Sequence, residues 1–306
     1  MLTRVLEPEV MDTAEEAAEY DAMGHDEVNR RFCDDLLRLG PEPRRVVDVG
    51  TGTARIPLVL CELHPRCTVV ATDLAEHMLA LAERNVRAAA MSDRISLVRG
   101  DAKGSALPRR AFDVVMSNSI VHHIPDPRAL FEELFGLVAP GGLLFVRDLE
   151  RPRDEETMAK LVATYAASDT PRQRALFADS LRAAFTLEEA QALVAGFGAP
   201  ASAVTRTSDR HWTLAYRAEP WGVSLSPPGM NPDESRGTES LVSLLRRLLA
   251  LWAGAAGGER KPKTRPSARD RARERALPRG RGRPSSRRRA TRTAASHTLS
   301  AGAKTG

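Results

Sequence analysis

The stretch Asp48-Val49-Gly50-Thr51-Gly52-Thr53-Ala54 has the residue types and spacing of a ligand-binding turn. Glycine lets the backbone turn sharply and lets a ligand come close, because no Cβ intervenes. An apolar helical pattern begins at Ala54. The free N–H groups and positive dipole end of that helix favour acceptor atoms on a ligand. A dinucleotide fits this turn poorly. Its fingerprint, G-x-G-x-x-G/A, is met at Gly50 and Gly52, but the third position falls on Arg55, too long for close helix–strand packing. Asp48 also puts a carboxylate just before the turn, where it repels a pyrophosphate and suits a ligand with cationic groups. Asp73 stands 21 residues after Gly52, close to the ~20 at which an acid meets ribose hydroxyls; the alternative is an N-cap for the next helix. His122-His123 brings imidazoles of near-neutral pKa, suited to a general base. Adjacent side chains point different ways, so at most one faces a pocket. His122 is the first choice, and a histidine bonded to nearby backbone is the alternative for either.

Short strands and amphipathic helices must position these groups. Residues 11–40 read as helical, with Asp12-Thr13-Ala14-Glu15-Glu16 as a start and Gly40-Pro41 as a stop. The β-branched run Val46–Val49 reads as a first buried strand, and Ile56–Leu63 continues the helix after the turn. Cys67–Asp73, Ile95–Val98, Phe112–Asn118 and Leu143–Asp148 read as four more strands. Helices are expected over Ala75–Ala90 and Pro127–Val138, the latter with Pro127 at its first position, and Pro140-Gly141-Gly142 as a tight turn. Thr186-Leu-Glu-Glu189 is a capping box opening another helix. Ala203–Thr207 and His211–Arg217 read as a hairpin.

With strand, turn and acids in this order, Asp48 to Ala54 resembles the first motif of class I S-adenosylmethionine (SAM)-dependent methyltransferases, D/E-x-G-x-G-x-G, with Ala54 for the last glycine. Leu137-Val-Ala-Pro-Gly-Gly-Leu-Leu resembles the family's late motif, and the resemblance extends over residues 25–217. It implies an α/β, Rossmann-like sandwich with a seven-stranded, mostly parallel sheet in the order 3-2-1-4-5-7-6, the last strand antiparallel. SAM, which carries an ammonium, a sulfonium and no phosphate, would lie across the carboxyl edges of strands one to four. The implied cofactor contacts are Asp48, Gly50, Thr51, Gly52, Asp73 and Leu74, then Asp101 and Ala102 at the adenine, then Ser117 and Asn118. A helix before the first strand is expected to cover the pocket, and the segment after strand five to lid the substrate. Tyr20, Asn29, Arg147 and Arg174 are the expected substrate contacts, His122 and His123 the catalytic candidates. Ser117-Asn118-Ser119-Ile120 lacks the proline pair and aromatic of enzymes that methylate base amines. The chain is instead similar to the ubiquinone/menaquinone-biosynthesis C-methylases, implying a small-molecule acceptor.

Three divisions follow: a helical cap over 1–40, the methyltransferase domain over 41–219 with an inserted lid at 151–185, and a tail over 220–306. The tail is rich in Pro, Gly and Arg and too poor in large apolar residues to bury a core, so it is expected to be disordered, with a short amphipathic helix over Leu241–Trp252. Residues 257–306 carry 16 Lys or Arg against 3 Asp or Glu, a net of +13, which leaves the first 256 residues at −8. Such a tail is a solvated appendage, a polyanion contact, or an out-of-frame extension. As a tether it would suit RNA or protein methylation. A non-catalytic SAM-binding protein is the further rival. Three cysteines without C-x-x-C spacing, no leader pattern and no long apolar run lead to the expectation of a reduced, cytoplasmic protein without a membrane span. His64 and Cys67 have no second ligand pair nearby, so no metal is expected.

Overall fold

A computed structural model describes residues 2–7, 12–23 and 26–220. The expectations for the tail beyond Pro220, including the helix over Leu241–Trp252, lie outside the described residues.

Seven strands form one sheet: β1 (Arg45–Val49), β2 (Thr68–Asp73), β3 (Ile95–Arg99), β4 (Phe112–Asn118), β5 (Val138–Leu149), β6 (Val204–Arg206) and β7 (His211–Arg217). Their order is β3-β2-β1-β4-β5-β7-β6. The first five run parallel, and β7 runs antiparallel to both β5 and β6. Both order and direction are as expected. The order reverses direction between β1 and β4, which opens a crevice at their carboxyl ends where ligands bind in such sheets.

Strand side chains alternate between two cores, as the period of two requires. Val46, Val114, Met116, Leu143 and Phe145 face one side, where α2 (Asp26–Arg38), α3 (Arg55–Leu63) and α4 (Glu76–Ala88) bring Phe32, Leu36, Leu60 and Val86. Val47, Val115, Leu144 and Val146 face the other, against Leu130, Phe131 and Leu134 of α5 (Arg128–Leu137) and Val194 of α8 (Leu187–Ala195). Phe32 sets its ring edge-on to Phe145, centroids 5.0 Å apart. Burying a side chain of that size contributes roughly 2–3 kcal/mol, so α2 is part of the folded body.

Helix ends follow local chemistry. Thr13 caps α1 (Ala14–Ala22), its side chain accepting from Glu16 N–H. Thr186 and Glu189 form the expected capping box of α8. Thr170 and Gln173 form a second, which opens α7 (Pro171–Ala183). Two expectations fail. Pro140-Gly141-Gly142 is not a turn ahead of a short strand: β5 begins at Val138 and runs through it, with a register irregularity opposite Phe112–Val114. A Cβ on Gly142 would lie 3.0 Å from the carbonyl oxygens of Phe112 and Asp113, so the strands close up only around a glycine. Pro127 caps α5 rather than occupying its first turn.

The insertion, α6 (Glu155–Tyr165) and α7, packs Met158, Leu161 and Leu181 on Leu149 and takes in Leu2 from the start of the chain. Val5 N–H donates to the Arg182 carbonyl. The Arg4 guanidinium lies over the Phe185 ring and donates to the carbonyls of His122, Ile124, Pro125 and Ala183. Residues 2–7 are therefore a strap that fastens α7 to the turn after β4. Nothing in the sequence announces it.

Candidate functional site

The turn after β1 is held by backbone. Gly50 and Thr51 N–H both donate to the Thr72 carbonyl, which ties the turn to β2. Gly50 and Gly52 have φ of +77° and +55°. A Cβ on Gly50 would lie 2.4 Å from Ile120 Cγ2, so this close approach needs glycine. Ala54, where the motif has its last glycine, adopts φ +61°. That left-handed conformation costs an alanine about 1–2 kcal/mol.

Two cavities meet at this turn. The larger has an empty volume of about 840 Å³ and is lined by Tyr20, Gly50, Gly52, Asp73, Leu74, Met78, Asp101, Ala102, Lys103, Asn118, Ile120 and His123, among others. The smaller, of about 770 Å³, is polar and lined by Tyr20, Asp21, Asn29, Asp48, Thr51, Arg55 and Asn118, among others. Tyr20, Gly50 and Asn118 border both, so they form one groove pinched at the glycine turn.

Acid chemistry dominates the groove. Asp48 is 2% exposed and accepts from the Thr51 hydroxyl at 2.7 Å. Burial, opposed by that bond and reinforced by the charge of Asp73, pushes its pKa up to about 7. Such a carboxylate favours a cationic ligand that would ionise it. Asp73 accepts from Gly52 N–H at 2.7 Å and from Ala75 N–H at 2.9 Å. It therefore holds the backbone of Ala75, the residue that precedes α4, while lining the larger cavity, and burial raises its pKa despite these bonds. Asp101 accepts from Lys103 N–H at 2.9 Å and pairs with the Lys103 ammonium at 3.1 Å.

The roof is α1. Tyr20 lies over the turn, its Cε1 3.5 Å from where a Gly52 Cβ would be. Asp21 pairs with Arg55 through two bonds of 2.9 Å and accepts from Asn85 at 3.0 Å. The residue that spoils the dinucleotide fingerprint is thus the anchor of the roof.

Other expected residues lie elsewhere. Ser117 is fully buried and donates to the Val49 carbonyl, joining β4 to β1 away from both cavities. Arg147 is 6% exposed, donates to Asp35 at 2.8 Å and to Thr213 Oγ1 at 2.9 Å, and lines neither cavity. Burial of the guanidinium required these partners, so Arg147 is a tie between β5 and α2 rather than a substrate contact. Arg174 is exposed and donates to the Asp169 and Ala167 carbonyls, also away from the groove. None of the residues lining the two cavities comes from α6 or α7, so the expected lid at 151–185 is not what covers them.

The histidines divide as adjacent residues must, but in the opposite sense to the expectation. His123 lines the larger cavity. His122 is 3% exposed and points inward, its Nδ1 2.5 Å from Asp148 Oδ1. Asp148 also accepts from Val121 and Leu149 N–H, each at 2.6 Å. Burial disfavours the His122 imidazolium, yet the charges of Asp148 and Glu7 outweigh it and lift the pKa above the ordinary histidine value. Glu7 Oε1 is 3.4 Å from His122 Nε2 and 3.1 Å from His123 Nδ1. Sequence reading missed Glu7 altogether, because its partners come from the far side of the domain.

Residues 47–146 match the family described as a methyltransferase domain. Demethylmenaquinone methyltransferase of Thermus thermophilus is 35% identical over 123 residues, 40% of this chain and 54% of that protein. Trans-aconitate 2-methyltransferase of Methylobacterium radiotolerans is 32% identical over 123 residues, 40% of this chain and 45% of that protein. The chain thus spans about half the length of the curated relatives it matches. A candidate SAM-dependent methyltransferase from Methanococcus maripaludis superposes with a TM-score of 0.54 over 72% of this chain and 100% of that one, and its 15% identity speaks for the fold alone. The motif, the sheet order and the groove all agree with the match of residues 47–146 to a methyltransferase domain.

Proposed function

We propose that the protein is a SAM-dependent methyltransferase that transfers a methyl group from SAM to a small-molecule acceptor. The observation that carries this reading is the groove astride the glycine turn, with the buried, cation-seeking Asp48 beneath one part and Asp73 and Asp101 along the other. SAM supplies an electrophilic methyl group on a positively charged sulfur. Asp48 receives the ammonium end in the polar part of the groove. Asp73 accepts from the ribose hydroxyls with the lone pairs that Gly52 and Ala75 leave. Asp101 and the Ala102 backbone meet the adenine. Gly50, Thr51, Leu74 and Asn118 shape the walls, and Tyr20 on α1 excludes water. In-line displacement needs alignment and desolvation more than a strong acid or base, which these residues supply.

A small acceptor is supported by strand four, which ends in Ser117-Asn118-Ser119-Ile120 without a stacking aromatic, and by the relatives, whose names refer to a quinone precursor and an organic acid. Among the described residues no helix is long and apolar enough to cross a membrane. The three cysteines are buried and unbridged, which accords with a reducing setting.

The test is thermal melting of the full chain with SAM, S-adenosylhomocysteine and NAD side by side. At 100 times the dissociation constant a ligand stabilises by about 2.7 kcal/mol, a rise of roughly 5–10 °C for a domain of this size. A rise with both sulfur ligands and none with NAD is expected, followed by transfer of labelled methyl to small acceptors. No rise with either sulfur ligand, in protein shown to be folded, would sink the reading.

A further inference from the structure

We infer that Glu7, His122 and His123 form a binding site for a divalent transition-metal ion, with Zn2+ the best match, at the wall of the larger cavity. The three ligand atoms, Glu7 Oε1, His122 Nε2 and His123 Nδ1, lie within 4.8 Å of one another. Two of the separations are 3.4 and 3.1 Å. Zinc bonds of 2.0–2.2 Å in tetrahedral array put ligand atoms about 3.4 Å apart. The cluster therefore needs little movement to close around an ion. Two histidines, one carboxylate and an open fourth position make up the donor set of a catalytic rather than a structural zinc site.

Three features favour a metal over an ordinary hydrogen-bonded cluster. The Glu7 side chain is 9% exposed, yet its buried Oε1 accepts no hydrogen bond. Leaving a buried charged acceptor unsatisfied is costly, and a cation removes that cost. Second, His122 presents Nε2 to the cluster while Asp148 grips its Nδ1. A carboxylate on the far ring nitrogen fixes tautomer and orientation in metal-ligating histidines, and Asp148 is itself held by two backbone N–H groups. Third, the arginine on the same strap bonds elsewhere. Arg4 spends its guanidinium on four carbonyls, while Ser180 takes the other Glu7 oxygen at 3.2 Å. The strap thus places one carboxylate oxygen between two imidazole nitrogens.

His123 belongs to both the cluster and the larger cavity. An ion there would act as a Lewis acid beside the acceptor and would select acceptors that carry a hydroxyl or carboxylate oxygen. This role rests on the methyltransferase reading; the metal binding does not.

The experiment strips the full chain with chelator and titrates it with Zn2+ alone by calorimetry. One equivalent should bind to the unaltered chain. Asp148→Asn should weaken binding by about 10–100-fold, and Glu7→Gln by at least as much. His77→Asn, at a surface histidine paired with Asp12, should leave it unchanged. Cobalt(II) should give the visible absorption of a tetrahedral nitrogen–oxygen site in the unaltered chain and lose it on addition of zinc, a readout that does not depend on any variant folding. No stoichiometric zinc binding, or equal binding by a folded Glu7→Gln chain, overturns the inference. The melting shift with S-adenosylhomocysteine, run on the stripped protein, separates failure of the metal site from failure of the cofactor groove.

Discussion

The glycine-turn groove and the histidine cluster sit at neighbouring strand ends but are built in opposite ways. The groove is shaped by a contiguous run of backbone, Gly50 to Ala54, whose conformation is written into its residue types. Its acids come one per strand end, and Asp48 makes no ion pair among the described residues. The cluster is assembled from side chains on three separate stretches: the strap, the turn after β4 and the end of β5. The difference teaches that this fold makes its cofactor site locally and its second site by long-range closure. The first tolerates changes in what packs around it and not in its own backbone; for the second the opposite holds.

The sharpest way to break the contrast is at Gly50. Gly50→Ala adds a positive-φ penalty of about 1–2 kcal/mol and a clash with Ile120 of about 1–3 kcal/mol, a loss of roughly 2–5 kcal/mol in a denaturant melt, with SAM binding abolished. Unchanged binding would mean that the turn is not the cofactor's support.

Asp48→Asn is expected to stabilise the ligand-free protein. The folded pKa of about 7 lies above the unfolded 3.8, so the folded chain holds an extra proton between those values. Stability therefore falls as pH rises through this window and stays low above it. The substitution should add on the order of 2 kcal/mol at pH 8 and nothing near pH 4, while weakening SAM. A melt series across pH reads the first effect and calorimetry the second; parallel pH profiles for both chains would refute it.

Asp35→Ala leaves the Arg147 guanidinium buried with one fewer partner. Because Asp35 is 28% exposed, the expected loss is about 2 kcal/mol, below that of a fully buried pair. Arg147 being a structural tie, kcat and KM should hold at a temperature where the variant is folded. A change in KM without loss of stability would restore Arg147 as a substrate contact.

The smallest effect is at Ala54. Ala54→Gly relieves the left-handed strain and adds unfolded-state entropy, for a net gain of about 0.5 kcal/mol. A clear loss in melting temperature would show that the methyl's packing outweighs the strain.

The same contrast explains what could be read from the chain. The strands themselves and the acids at 48 and 73 follow from short-range patterns: β-branched runs, glycine turns and strand-end carboxylates. Strand order, the direction of β7 and the place of Asp101 come through the family resemblance that those patterns carry. The continuity of β5 through Pro140-Gly141-Gly142 was hidden because those residues normally signal a turn, and only the neighbouring β4 carbonyls explain the glycine there. The burial of Arg147, the inward turn of His122 and the strap with Glu7 depend on contacts between remote segments. A lone Glu in an unpatterned N-terminal stretch carries no local signal, and Arg174, read as poised for substrate, is spent on carbonyls of its own loop.

The Arg55–Asp21 pair gives the groove a kinetic property. It fastens the roof helix directly to the floor on which a ligand would rest, and its arginine is 42% exposed. An ion pair so placed is worth little at equilibrium and is screened by salt. Residence time, more than affinity, would then respond to ionic strength: the groove exchanges its occupant as fast as a half-solvated latch opens, and turnover limited by product departure would quicken in concentrated salt.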